Sequence, residues 1–102
     1  MRYCFDIDGT ICEGGIEYKD TKPYLEVIDK INELYDEGHH IQFYTSRGTL
    51  SGKDWFKFTM DQLDSWGVKY HALKLGKPHY DVFIDDKAMS NFDWYHNEDL
   101  KI

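Results

Sequence analysis

The sequence lacks any run approaching the ~20 apolar residues of a membrane-spanning helix, which sets aside the helical membrane classes. Its start also lacks the basic residues, long apolar run and small-residue cleavage site of a secretory signal, so the expected location is the cytoplasm. Positive charge is scarce. Twelve Lys and Arg face nineteen Asp and Glu, and the net charge of -7 disfavours a nucleic-acid backbone as partner and favours a small molecule. Only two cysteines occur, Cys4 and Cys12, and they have no metal-binding spacing, which points to reduced thiols. Cys4 reads as core packing, and Cys12, just past a turn, as a residue at the edge of a pocket. Repeats, low-complexity tracts and linkers are missing too, so the chain reads as one domain, 1–102. A hydrophobic fraction of 41% and an aromatic fraction of 17% make a packed core attainable near the lower size limit for a chain without disulfides.

What is present begins with residues 1–10, a short apolar run that ends in Asp6, Asp8, Gly9 and Thr10. Side chains two apart on a strand share a face, so both carboxylates leave the strand tip on one side. Two anions that close repel each other unless a cation lies between them. Packing alone gives no reason for that ending; a metal and a phosphoryl group do.

Residues 11–23, with Gly14 and Gly15, read as a loop or small hairpin flap over this tip. Leu25, Ile28, Ile31, Leu34 and Tyr35 then recur at three- and four-residue spacing, predicting a helix with Pro23 at its first turn and Gly38 at its stop. Residues 41–44 read as a second strand with Thr45, Ser46 and Arg47 at its exit, followed by a polar loop. Trp55, Phe58, Thr59, Gln62, Leu63 and Trp66 predict a second helix that Gly67 closes. Residues 68–75 read as a third strand, and Tyr80-Asp81-Val82-Phe83-Ile84 leads a fourth into Asp85-Asp86. Residues 87–102 are left between a helical turn and a segment folding back on the body.

Strands alternating with helices predict an α/β domain with a small parallel sheet of about four strands. Ligands of such sheets bind beyond the carboxyl ends of the strands. Asp6 and Asp8, the 45–47 exit and Asp85-Asp86 should therefore converge on one edge.

Transferring a phosphoryl group to a carboxylate drives an anion onto a centre already ringed by negative oxygens, so charge must be neutralised locally. A divalent cation held by Asp6 and Asp85 would do this, with a lysine and a hydroxyl on the remaining oxygens. Oxygen ligands without Cys or His favour Mg²⁺. Asp6 would attack phosphorus, and Asp8 would protonate the leaving oxygen and later activate water.

Phe5-Asp6-Ile7-Asp8-Gly9-Thr10, Phe43-Tyr44-Thr45, Lys77 and Phe83-Ile84-Asp85-Asp86 resemble, in order, the four motifs of the haloacid dehalogenase (HAD) superfamily of phosphatases. The resemblance implies a three-layer Rossmann-like domain. It makes Asp6 the nucleophile, Asp8 the general acid/base, Thr45 and Lys77 the phosphate binders, and Asp85 a Mg²⁺ ligand. The Asp8 carbonyl would be a further ligand, with Asp86 acting through water or orienting the site. The chain has no room for a cap domain. The Thr45-Ser46-Arg47-Gly48 exit and the Gly76-Lys77-Pro78 step look most like the small phosphatases of capsule and surface-polysaccharide biosynthesis, which implies a phosphorylated sugar or sugar-derived substrate. Closing the uncapped site is left to the flap, the 46–54 loop, a second subunit or the substrate itself.

Simpler readings stand beside these. Thr45 could merely cap the next segment, leaving Ser46 as the phosphate contact, and Lys74 is the alternative to Lys77. Arg47 is the candidate for holding a second carboxylate or phosphate of the substrate, or else is a surface arginine. The five histidines show no metal spacing. Trp55, Phe58 and Trp66 read as core, with Trp55 nearest to a ligand. Two other classes compete with a phosphatase: an idle HAD-like binding or assembly module, and a phospho-accepting signalling domain. In the latter the acidic pair follows the first strand and the lysine follows the last, an order this chain does not have.

Overall fold

The computed structural model describes residues 1–96. Three strands, β1 (Arg2–Phe5), β2 (His40–Thr45) and β3 (Ala72–Leu75), form a parallel sheet in that order. Helix α1 (Leu25–Asp36) connects β1 to β2, and α2 (Phe56–Ser65) connects β2 to β3. A short α3 (Asn91–His96) follows. The expected helices and first three strands are therefore present. Residues 97–102, the last part of the polar and aromatic tail, lie outside the described residues.

Register decides which face is buried. Tyr3 pairs with Ile41, Phe5 with Phe43, Phe43 with Leu73 and Thr45 with Leu75, and paired residues of a parallel ladder point to the same side. This face meets Ile28 and Ile31 of α1 and Leu63 of α2 in the core. On the opposite face Arg2, Cys4, His40, Gln42, Tyr44, Ala72 and Lys74 alternate with them, and none is buried. Cys4, expected in the core, is exposed on this second face.

The expected three-layer, four-strand Rossmann-like arrangement is overturned on two counts. The sheet has three strands, and with one face unburied the described residues make two layers rather than three. Val82, Phe83 and Ile84, expected as the fourth strand, are 72%, 46% and 91% exposed. A short apolar run becomes a strand through pairing and burial rather than composition, and this run has neither. The ring of Phe5 is covered instead by Trp94 of α3, edge-on at 4.9 Å. Lys30 of α1 holds α3 there, its Nζ donating to the carbonyls of Trp94 (3.0 Å) and Tyr95 (3.1 Å) at the helix end.

Both long helices stop where glycine permits it. Gly38 (φ 95°) and Gly67 (φ 73°) take left-handed conformations that a side chain would strain. The amides of His39 and Val68 return to the carbonyls of Leu34 and Leu63, so the chain turns at once into the next segment.

Candidate functional site

The site begins at the tip of β1. Ile7 is fully buried, which turns its neighbours Asp6 and Asp8 the other way, as the two-residue period requires. A tight turn follows, in which the amides of Thr10 and Ile11 bond to the Ile7 carbonyl and that of Gly9 to Cys12. Gly9 adopts φ 81° there. Residues 12–23 then close on themselves as a hairpin-like flap: Cys12 bridges to Pro23, and the Glu13 amide bonds to Lys22 O at 3.1 Å.

The second contribution comes from the exit of β2. Thr45 is 1% exposed and its Oγ1 accepts the Arg47 amide at 3.1 Å, so this hydroxyl fixes the turn, whereas Ser46 opens on a cavity beside Asp8. Gly48 (φ 84°) lies so close to the Lys53 carbonyl that any side chain there would collide with it, which keeps the 46–53 loop compact. After β3, the Lys77 amide bonds to Thr45 O at 3.1 Å and Thr49 Oγ1 donates to Lys77 O at 2.8 Å. These bonds carry Lys77 to the tip of β1, where its Nζ stands 3.5 Å from Asp6 Oδ1. Lys74, the alternative, is exposed on the open sheet face.

Asp6 and Asp8 sit in different surroundings. Burial pushes the Asp6 carboxyl above its ordinary range, against the lowering effect of Lys77 and of the Ile7 amide. Burial also pulls the Lys77 ammonium down, but Tyr80 and Asp6 beside it outweigh this and its pKa is raised. The Tyr80 and Phe83 rings lie 5.1 and 5.6 Å from this ammonium, so the segment expected as a strand instead flanks Lys77 with aromatic rings.

Asp8 is gripped by Arg47. Arg47 Nε donates to Oδ2 at 2.9 Å and Nη2 to Oδ1 at 2.8 Å, a bidentate fork. Its Nη1 donates to Thr59 Oγ1 (3.2 Å) and Gln62 Oε1 (2.8 Å) on α2, and its guanidinium lies 4.4 Å from the centre of the Tyr18 ring. Gln62 Nε2 in turn donates to the Tyr18 carbonyl at 2.6 Å, tying the flap to this network. Arg47 is 1% exposed. The expectation that it meets substrate is corrected: every nitrogen of the side chain is turned inward. Thr59 and Gln62 enter the sequence reading only as members of the α2 stripe, and Tyr18 not at all. The available signal was two polar residues, Thr59 and Gln62, on the otherwise apolar stripe of α2, since a polar group on a buried face needs a partner.

Cys12 is buried, with Sγ 3.7 Å from Asp8 Oδ1, and burial pushes its thiol up to about 11, which makes it an unreactive packing residue. Asp85 and Asp86 are exposed, and Asp85 Oδ1 accepts the Lys87 amide at 2.8 Å. They do not join Asp6 and Asp8: among the described residues no three His, Cys, Asp or Glu side chains are grouped to hold a metal ion. Of the four residues expected at the metal, Asp6 through its carboxylate, Asp8 through its carbonyl, Asp85, and Asp86 through water, Asp6 is the half-buried oxygen donor at the strand tip, with Lys77 at 3.5 Å.

A cavity of about 630 Å³ opens beside Asp8, between the flap and the 46–55 loop. Tyr18 and Trp55 meet edge-on at 4.9 Å in its wall, and Ser46 and His79 also line it. No helix among the described residues is long and apolar enough to cross a membrane.

In comparisons with known proteins, no family model and no curated protein matches the chain. A crystal structure of a target protein from Vibrio cholerae is similar, with a TM-score of 0.84 and 24% identity over 93% of this chain and 87% of that one. At that identity the likeness establishes a shared fold and nothing about activity.

Proposed function

We propose that the protein is a Mg²⁺-dependent phosphomonoester hydrolase of the HAD type that acts through an aspartyl phosphate on Asp6. The observation supporting this reading is the pairing of two differently treated carboxylates at one strand tip: Asp6 is half-buried and faced by Lys77, and Asp8 is fixed by Arg47 at the mouth of a cavity. An Asp6 oxygen attacks phosphorus while the bond to the leaving oxygen breaks, and that oxygen takes a proton from Asp8, which carries it against the Arg47 fork that favours its ionised form. Asp8 then takes a proton from water, which attacks the aspartyl phosphate and releases inorganic phosphate with Asp6 restored. Lys77 holds phosphoryl oxygens, and of the two candidate hydroxyls Ser46 is the one that faces the cavity. Magnesium, when bound with Asp6 among its ligands, supplies neutralisation of the phosphoryl charge. The reading carries with it a cytoplasmic location, a small phosphorylated metabolite such as a sugar phosphate as substrate, and a second copy of the chain as one means of covering the uncapped site.

The test is phosphate release from a panel of phosphorylated sugars and other small metabolites, with Mg²⁺ or with a chelator. Turnover that requires the metal and falls about a thousandfold or more in Asp6→Asn is expected. If no phosphoester is turned over, or Asp6→Asn matches the parent, the hydrolase reading is wrong and a binding module or signalling domain takes its place.

A further inference from the structure

On the hydrolase reading Asp8 gives its proton to the leaving oxygen, so the cavity beside Asp8 is where the leaving group lies. Resting on that reading, we infer that this cavity takes an uncharged, hydroxyl-bearing leaving group, so that the substrate carries one phosphoryl group and no second anion. Among the described residues, no lysine or arginine lines it. The two cations of the adjoining site are committed elsewhere. Arg47 directs its nitrogens to Asp8, Thr59 and Gln62, and Lys77 stands on Asp6. The exposed Lys53 is not a lining residue but places its ammonium over the ring of Trp55, which is one, 4.4 Å from the centroid.

The formal charge of the wall is negative. Glu17 lines the cavity, is exposed, and forms no ion pair among the described residues, whereas the charge of Asp8, the other carboxylate there, is matched by the Arg47 fork. A second phosphate or a carboxylate on the leaving group would face Glu17 with, among the described lining residues, the exposed imidazole of His79 as the one basic side chain and no lysine or arginine to meet it, and unfavourable like-charge contacts of this kind weigh against a wrong partner. Hydroxyl groups suit the same wall. A carboxylate accepts hydrogen bonds and a serine hydroxyl gives and takes them, and Glu17, Ser46 and Ser51 supply these functions. Ile16, Leu50 and Trp55 add carbon surface for the non-polar faces of a ring. The site is an open cleft of about 630 Å³, within the range of small-ligand sites.

The experiment compares neutral hexose monophosphates with a hexose bisphosphate and a phosphorylated sugar acid, at constant ionic strength with Mg²⁺. It reads kcat/KM for the parent and for Glu17→Lys, and Kd by tryptophan fluorescence on Asp6→Asn. The neutral monophosphates are expected to be favoured by about tenfold or more, and Glu17→Lys to narrow or reverse that ratio. Turnover that prefers the doubly anionic substrates, or a ratio untouched by Glu17→Lys, overturns the inference and leaves the hydrolase reading intact. No turnover, but tighter binding of the neutral monophosphates, removes the hydrolase and with it the leaving group, and keeps only the cavity's preference for an uncharged, hydroxyl-bearing ligand. Neither turnover nor binding of any of these compounds overturns both.

Discussion

Arg47 directs all three of its side-chain nitrogens into the protein, two to the carboxylate of Asp8 and one to Thr59 and Gln62 of α2. A fork of this kind fixes the plane of a carboxylate as well as its position, and a lysine offers one charge without that geometry. Arg47→Lys should therefore act on catalysis through Asp8. Alkyl phosphates need a proton on the leaving oxygen, whereas an aryl phosphate such as p-nitrophenyl phosphate leaves as a weakly basic phenolate and needs it far less. The expected result is a loss of about a hundredfold in kcat/KM for an alkyl phosphate and a clearly smaller one for the aryl ester. A merely structural role for Arg47 would lower both alike. The residue type and its place at a strand exit were legible in the sequence. Its direction was not, because whether an arginine turns outward to substrate or inward to a carboxylate thirty-nine positions away depends on which polar groups the helix behind it presents.

At the scale of elements, α1, α2 and β2 could be read directly, since each has an apolar period that matches a face it buries. The fourth strand could not. Tyr80 to Ile84 has strand composition but is exposed, and a strand needs a neighbour to pair with, which no local pattern supplies. In its place α3, from a tail that gave little periodic signal, covers Phe5 with Trp94 and reaches the turn after β1 through Asn91 Nδ2, which donates to Gly9 O at 3.2 Å. Segments with few buried contacts open at the lowest free-energy cost and are cut first by proteases. Limited digestion with chymotrypsin should therefore cleave first after Tyr80 or Phe83, before Phe56, which is as exposed as Phe83 but lies within α2. Mass spectrometry of the early fragments decides. Protection of residues 80–84 while other sites are cut would mean that the segment is paired after all.

For the whole molecule, the site is set against stability. Burial raises the Asp6 carboxyl more than Lys77 lowers it, so ionising Asp6 costs the native state more than it costs the unfolded chain. The cost is absent below the ordinary value of 3.8, where both states hold the proton, and grows as pH rises through the higher native value. Asp6→Asn removes the charge with little change of shape. In metal-free buffer its midpoint of thermal unfolding should match the parent at acid pH, below the ordinary aspartate value, and exceed it near pH 7. A variant less stable than the parent at neutral pH, with the deficit fading in acid, would instead show that the Lys77 pair outweighs burial. Adding millimolar Mg²⁺ at neutral pH separates the sources of the cost. An ion that binds only the native state raises its midpoint, so the parent should gain and close the gap, while Asp6→Asn, lacking the anionic donor, should gain little.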